Sequence, residues 1–171
     1  MTVDAGGPGG ARVRTARVIV ASTRAAAGVY EDRTGPVIAE WLRGRGWAEP
    51  VVQVVPDGDQ VAASLQDAVA SGADLVVTTG GTGVNPSDRT PEATLPLLDR
   101  ELPGVMEAIR LRGAASTPLA ALSRGHAGIA GGTTFVVNLP GSTGGVKDGL
   151  AVLDEFLDHV IDQLHGGDHE R

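Results

Sequence analysis

A chain of 171 residues without cysteine has the length of one domain, enough to bury about 70% of the surface its unfolded form exposes, and it excludes a disulfide framework, a thiolate metal site and a cysteine nucleophile. A formal net charge of -7 and an aromatic set of only two Phe, two Trp and one Tyr exclude a nucleic-acid partner, which would need clustered cations or a stacking platform. With no run of 18 apolar residues and no apolar leader near Met1, no membrane partner is expected and the cytoplasm is the expected location.

Residues 1–15 are Gly-rich and aperiodic, which predicts a flexible N-terminal segment, followed by a single domain over 16–165 and a flexible tail over 166–171. The first of four short β-branched runs, 18–21, ends in Ser22-Thr23-Arg24. There Arg24 can clamp a phosphate with its planar fork or stay a solvated cation. Val37, Ile38, Trp41 and Leu42 then follow helical spacing, with Pro36 in the first turn. The second run, 51–55, leads into Pro56-Asp57-Gly58-Asp59 and a helical pattern of Val61, Leu65, Ala68 and Val69. One of the two Asp side chains is expected to cap that helix.

The third run, 75–78, opens into Thr79-Gly80-Gly81-Thr82-Gly83. Its backbone amides can cradle an anion, or it is a plain tight turn. No Gly-Lys-Ser/Thr follows, which rules out a Walker A loop, and the third glycine and immediate helix of a dinucleotide fingerprint are missing. In Pro86-Ser87-Asp88-Arg89-Thr90-Pro91-Glu92, Thr90 reads as a helix N-cap with Pro91 at the first helical position, so the helix start points back at the glycine loop. Asp88 either complements that helix start or converges with Asp57 on Mg²⁺, which takes hard oxygen ligands. Ser123 and His126 have no third member of a catalytic triad by spacing, and His165 and His169, separated by Gly166-Gly167, read as a solvated tail. The fourth run, 135–138, ends in Asn138-Leu139-Pro140-Gly141-Ser142, a set of amide and hydroxyl donors or a turn with a helix cap. Val146, Leu150, Leu153, Leu157, Val160 and Leu164 form one stripe and predict a single last helix, stopped by Gly166-Gly167.

Strand-like and helix-like segments alternate, and the runs are almost continuously apolar, as in strands covered on both faces. The predicted fold is an α/β three-layer sandwich with a mostly parallel, doubly wound sheet. Ligands in such sheets bind outside the carboxyl ends of the strands, where all of these loops fall.

Six ordered motifs carry a family resemblance: Ser22-Thr23-Arg24 with Gly28-Val29-Tyr30-Glu31-Asp32; Pro56-Asp57; Thr79-Gly80-Gly81-Thr82-Gly83; Asp88-Arg89-Thr90-Pro91-Glu92-Ala93; Leu122-Ser123-Arg124; and Asn138-Leu139-Pro140-Gly141-Ser142. Over residues 16–164 the chain resembles the MogA/MoaB family of molybdenum cofactor biosynthesis proteins and the equivalent domains of gephyrin-like proteins. The resemblance implies the molybdopterin-binding fold and molybdopterin adenylyltransferase activity. In that reaction AMP passes from ATP to the phosphate of molybdopterin and pyrophosphate is released, with Mg²⁺ required. It further implies a homotrimer and handover of the product to a molybdenum insertase.

Carried onto this chain, the resemblance makes Asp57 and Asp88 the catalytic and Mg²⁺-binding pair. It places Thr79, Gly80, Gly81, Thr82, Gly83, Asn138, Pro140, Gly141 and Ser142 on the nucleotide and its phosphates, and Ser22, Arg24, Ser123 and Arg124 on the pterin. Two positions depart from the pattern. Many members carry Asp where this chain has Thr23, and Arg where it has Ser87, so phosphate affinity falls unless Arg89 substitutes. The alternatives are a non-catalytic molybdopterin-binding or carrier protein and a structural homo-oligomer.

Overall fold

The computed structural model describes residues 12–167, so residues 1–11 of the expected N-terminal segment and residues 168–171 of the expected tail, His169 included, lie outside the described residues. Arg12 to Thr15 run along the body of the domain. The Thr15 amide donates to Asp74 Oδ2 at 2.8 Å, Arg12 pairs with Asp74, and Arg14 pairs with Asp158 and with Asp162 at 2.7 Å.

Six strands, β1 (Ala16–Ala21), β2 (Val51–Val55), β3 (Leu75–Thr79), β4 (Leu98–Glu101), β5 (Ala127–Ala130) and β6 (Thr134–Leu139), form one sheet in the order β2-β1-β3-β6-β5-β4. The pairs among β2, β1, β3 and β6 are parallel, while β5 runs antiparallel to both of its neighbours. The sheet is therefore mixed and mostly parallel, as the sequence predicts. The α-helices among the described residues are α1 (Thr23–Ala26), α2 (Thr34–Gly44), α3 (Asp59–Ala70), α4 (Thr90–Thr94), α5 (Pro103–Ala114), α6 (Thr143–Leu153) and α7 (Leu157–Leu164).

Successive strand residues point to opposite faces, and the core divides accordingly. Val18, Val77, Phe135 and Val137 pack with Ile38 and Leu42 of α2, Ile109 of α5, Leu150 of α6 and Leu157 of α7. Their neighbours Ile19, Val76 and Val136 pack instead with Val61, Leu65 and Ala68 of α3. This division makes the three layers, and it explains why the central strands are apolar on both faces along most of their length.

Three local readings need correction. The terminal stripe is two helices, because the chain leaves helical geometry at Phe156 (φ -144°) and the amides of Glu155 and Phe156 bond back only three residues, to Val152 and Leu153. Asp154, at the break, accepts from Trp41 Nε1 at 2.9 Å and Arg45 Nη1 at 2.6 Å, tying the break to α2. The spacing of buried Leu153 and Leu157 continues across the gap, so periodicity alone shows no interruption. Second, neither Asp57 nor Asp59 caps α3. Gly58 holds the cap position at φ +105° with no side-chain bond. Third, His165 is no solvated tail, since its Nε2 lies 2.8 Å from Oδ1 of the buried Asp74.

Candidate active site

The carboxyl ends of β1, β3 and β6 meet at the glycine loop. Gly80 sits at φ +88°, and a Cβ there would lie 2.4 Å from the Ala21 carbonyl oxygen. Gly81 sits at φ +67°, and a Cβ there would lie 2.3 Å from Thr90 Oγ1. Both positions therefore require glycine for conformation and for space. Thr90 is the first residue of α4 and not its cap, a position held by Arg89. The buried Thr90 hydroxyl instead donates to the Gly80 carbonyl at 3.0 Å, and its amide to the Gly81 carbonyl at 3.1 Å. The helix start does point back at the loop, but it serves to lock the loop.

Thr79 and Asn138 complete the lock from below. Both are fully buried. Thr79 Oγ1 donates to the Pro140 carbonyl at 2.7 Å, joining the β3 and β6 loops. Asn138 Nδ2 donates to Thr78 Oγ1 at 2.9 Å and Thr94 Oγ1 at 3.0 Å, while its Oδ1 accepts from the His126 amide at 2.9 Å. Both amide protons and the amide oxygen are bonded inward, and the residue is fully buried, so Asn138 lies under the site and not on its surface. Ser142 caps α6, accepting from the Gly145 amide at 3.1 Å, and also lines the site.

Two clefts flank this glycine ridge. A polar cleft of 420 Å³ lies on the β2 side, lined by Ser22, Thr23, Arg24, Tyr30, Asp57 and Thr143. A larger cleft of 770 Å³ lies on the α5 side, walled by Ile109, Leu119, Leu122 and Pro140 and reached by Ser123 and Lys147. Gly80, Gly81, Asp88, Gly141 and Ser142 line both. Both volumes suit small-molecule ligands.

Asp57 and Asp88 stand on the ridge. Asp57 Oδ2 accepts from the Thr23 amide at 3.2 Å and the Thr23 hydroxyl at 3.1 Å. Its Oδ1 faces the loop, since a Cβ on Gly81 would lie 3.3 Å from it. Asp88 Oδ2 accepts from the Asn85 amide at 3.3 Å and faces Gly83, whose Cβ would lie 2.8 Å away. The structure thus brings both carboxylates to one loop, Asp57 against Gly81 and Asp88 against Gly83, and both line the polar cleft. Among the described residues no three His, Asp or Glu side chains gather as a metal site. The donor chemistry still fits Mg²⁺, which is commonly held by one or two carboxylates together with substrate phosphates and water.

The cations expected at the site are differently placed. The Arg24 guanidinium stacks over Tyr30 at 5.4 Å from the ring centroid, and the Tyr30 hydroxyl lies 2.8 Å from Ser22 Oγ at the rim of the polar cleft. Arg124 is committed to the fold, donating to the carbonyls of Gly83 and Asp88 at 2.8 Å each and pairing with Glu92. That hydrogen bond holds the Glu92 carboxyl below its ordinary pKa. The Arg124 amide also donates to the Thr82 carbonyl at 2.9 Å, so this one residue staples the loop from Thr82 to Glu92.

A family model described as a probable molybdopterin binding domain matches residues 17–159. The chain belongs to this family. It is 41% identical over 155 residues to a molybdenum cofactor biosynthesis bifunctional protein of Synechococcus elongatus, a match covering 90% of this chain and 48% of that protein. The chain thus spans about half the length of the first curated relatives it matches. It is 39% identical over 149 residues to a molybdopterin adenylyltransferase of Pyrococcus furiosus, covering 84% of this chain and 87% of the relative. The structure of the molybdopterin biosynthesis Mog protein of Mycobacterium ulcerans superposes with a TM-score of 0.85 at 52% identity, covering 89% of this chain and 99% of that one.

Within this molybdopterin-binding domain the two departures in sequence have structural outcomes. Thr23 holds Asp57 by side chain and backbone, and its hydroxyl in turn accepts from the Asp57 amide at 3.1 Å. Ser87 donates to Asn85 Oδ1 at 2.9 Å, and Arg89 lines neither cleft. Sequence reasoning missed Arg110 and Lys147, which line the larger cleft. The buried Met106 and Ile109, three residues apart after Pro103, give the signal for α5 itself. No pattern along the chain shows which of its polar residues meets a cleft.

Proposed function

We propose that this chain is a molybdopterin adenylyltransferase. The observation that carries the proposal is the pair of clefts meeting at one glycine ridge with Asp57 and Asp88 on it. A transfer between two small molecules needs both held with their reacting ends together. On this reading the apolar cleft takes the pterin, and the polar cleft takes ATP with its phosphates on the loop amides. An oxygen of the molybdopterin phosphate attacks the α-phosphorus of ATP. The bond from that phosphorus to the oxygen bridging to the β-phosphorus breaks, and pyrophosphate leaves with the bonding electrons.

The protein's task is positioning and charge placement, and no side chain forms a covalent intermediate. Asp57 and Asp88 orient the phosphates and would together hold Mg²⁺. That ion would offset the negative charge of phosphates and carboxylates brought into one place. Thr79, Thr90, Asn138 and Arg124 fix the loops from behind, as does the Gly80 amide, which donates to the Leu139 carbonyl at 3.1 Å, while Gly81 to Gly83, Gly141 and Ser142 line the ridge that faces the substrates. Ser123 stays with the pterin in the apolar cleft, whereas Ser22 and Arg24, which the resemblance assigns to the pterin, line the polar cleft and on this reading meet ATP. The proposal extends to a cytoplasmic homotrimer that passes its product to a molybdenum insertase.

The test is incubation of the purified protein with Mg²⁺, ATP and molybdopterin. The expected outcome is equimolar pyrophosphate and adenylylated molybdopterin by mass spectrometry. Pterin binding with no product would instead make the chain a carrier.

A further inference from the structure

Arg110 on α5 and Lys147 on α6 both line the apolar cleft. Arg110 lines the cleft, and its Nη1 is buried with no hydrogen-bond partner among the described residues. On α6, Asp148 also lines the cleft and pairs with Arg112 at 3.8 Å. A buried guanidinium nitrogen left without an acceptor is costly, and in a ligand cleft the natural acceptor is the ligand. The other cations expected to serve an anion do not serve this cleft, since Arg124 is occupied by Gly83, Asp88 and Glu92 and Arg24 stacks on Tyr30 beyond the ridge.

We infer that Arg110, assisted by Lys147, forms an anion subsite in the apolar cleft that takes a phosphate group of a substrate. A planar guanidinium fork suits two phosphate oxygens, and an ammonium adds a point charge. The cleft also holds Asp88 and Asp148. The two cations therefore set the preference for a phosphate over a neutral group where carboxylates alone would repel it. The owner of the phosphate rests on the functional reading above: the pterin's monoester if that reading holds, the nucleotide if the clefts are used the other way round.

The test measures binding of 6-hydroxymethylpterin phosphate, its unphosphorylated alcohol, ATP and inorganic pyrophosphate by calorimetry. The proteins are the wild type, Arg110→Met, Arg110→Lys and Lys147→Met, each checked for an unchanged melting profile. The wild type is expected to prefer the pterin phosphate over the alcohol by about tenfold or more. Arg110→Met should abolish that preference and leave alcohol and ATP binding unchanged, with Arg110→Lys and Lys147→Met intermediate. If Arg110→Met does not fold, the last two variants carry the test and must each reduce the preference. Loss of ATP or pyrophosphate affinity in the Arg110 variants, with no pterin bound by any protein, would keep the anion subsite and overturn the assignment of this cleft to the pterin. An unchanged affinity for every phosphate probe in all variants would overturn the subsite.

Discussion

On the β2 side of the glycine ridge the lining is hydroxyls and charged groups: Ser22, Thr23, Tyr30, Arg24, Arg33, Asp32 and Asp57. On the α5 side it is Ile109, Leu119 and Leu122, with Arg110 and Lys147 among them. The two sides share Gly80, Gly81, Gly141, Ser142 and Asp88. One side has the chemistry to receive polyphosphate and a divalent ion. The other has apolar walls for a flat ring and cations for a terminal anion. The difference teaches that this site is divided by backbone. A loop without side chains lets two ligands approach from opposite sides to within reacting distance, which a loop bearing side chains would prevent.

The largest effect should come from the shared wall. Asp88→Asn is expected to lower pyrophosphate release by about a hundredfold or more while leaving pterin affinity within a few-fold of wild type; a loss of melting temperature with turnover intact would leave Asp88 only its structural bond to the Asn85 amide. Next comes the buried support common to both clefts. Asn138→Leu leaves the Thr78 and Thr94 hydroxyls and the His126 amide without their partner, and urea denaturation should register a loss of about 3 kcal/mol. A smaller effect is expected on the polar side alone. Thr23→Val removes one hydroxyl from Asp57 and should reduce turnover about fivefold, through ATP and Mg²⁺ dependence, with no change in pterin binding.

The smallest effect at neutral pH lies far from both clefts, at the amino ends of the strands. Burial pushes the Asp74 carboxyl up, but the Thr15 amide, Arg12 and His165 outweigh it, and its pKa lies below the ordinary value. A carboxylate with a lowered folded pKa contributes its stability above the unfolded value of about 4 and loses it as pH falls through the folded one. The urea midpoint of the wild type should therefore fall with acidification below about pH 4. Asp74→Asn should lower the midpoint at neutral pH and flatten that acid limb. An unaltered acid limb would show that Asp74 does not set it.

The central strands are legible because β1, β3 and β6 are buried on both faces and so mainly apolar. Edge strand β4, Leu-Asp-Arg-Glu and mostly exposed, has no such signature, and β5 is only Ala-Gly-Ile-Ala. The ridge residues are also legible, since Gly80 and Gly81 are glycines for reasons of φ and space that leave a mark in sequence. The division of labour among polar residues is not. Arg124 and Asn138 have the chemistry of ligand-binding groups, yet their partners are carbonyls and hydroxyls far along the chain. Arg110 sits beside Ile109 in a helix whose exposed face looks like any solvated one, until the turn at Pro118–Leu122 closes over it to form the cleft.

The central claim is that two substrates occupy the two clefts at once. It is tested most directly by titrating α,β-methylene-ATP with Mg²⁺, an analogue that cannot release pyrophosphate, into protein alone and into protein saturated with molybdopterin. Simultaneous occupancy predicts that the analogue binds the loaded protein with an affinity within about tenfold of that for the free protein, a coupling of about 1.4 kcal/mol or less. An apparent dissociation constant that rises in proportion to molybdopterin concentration would mean one shared pocket and would contradict the account.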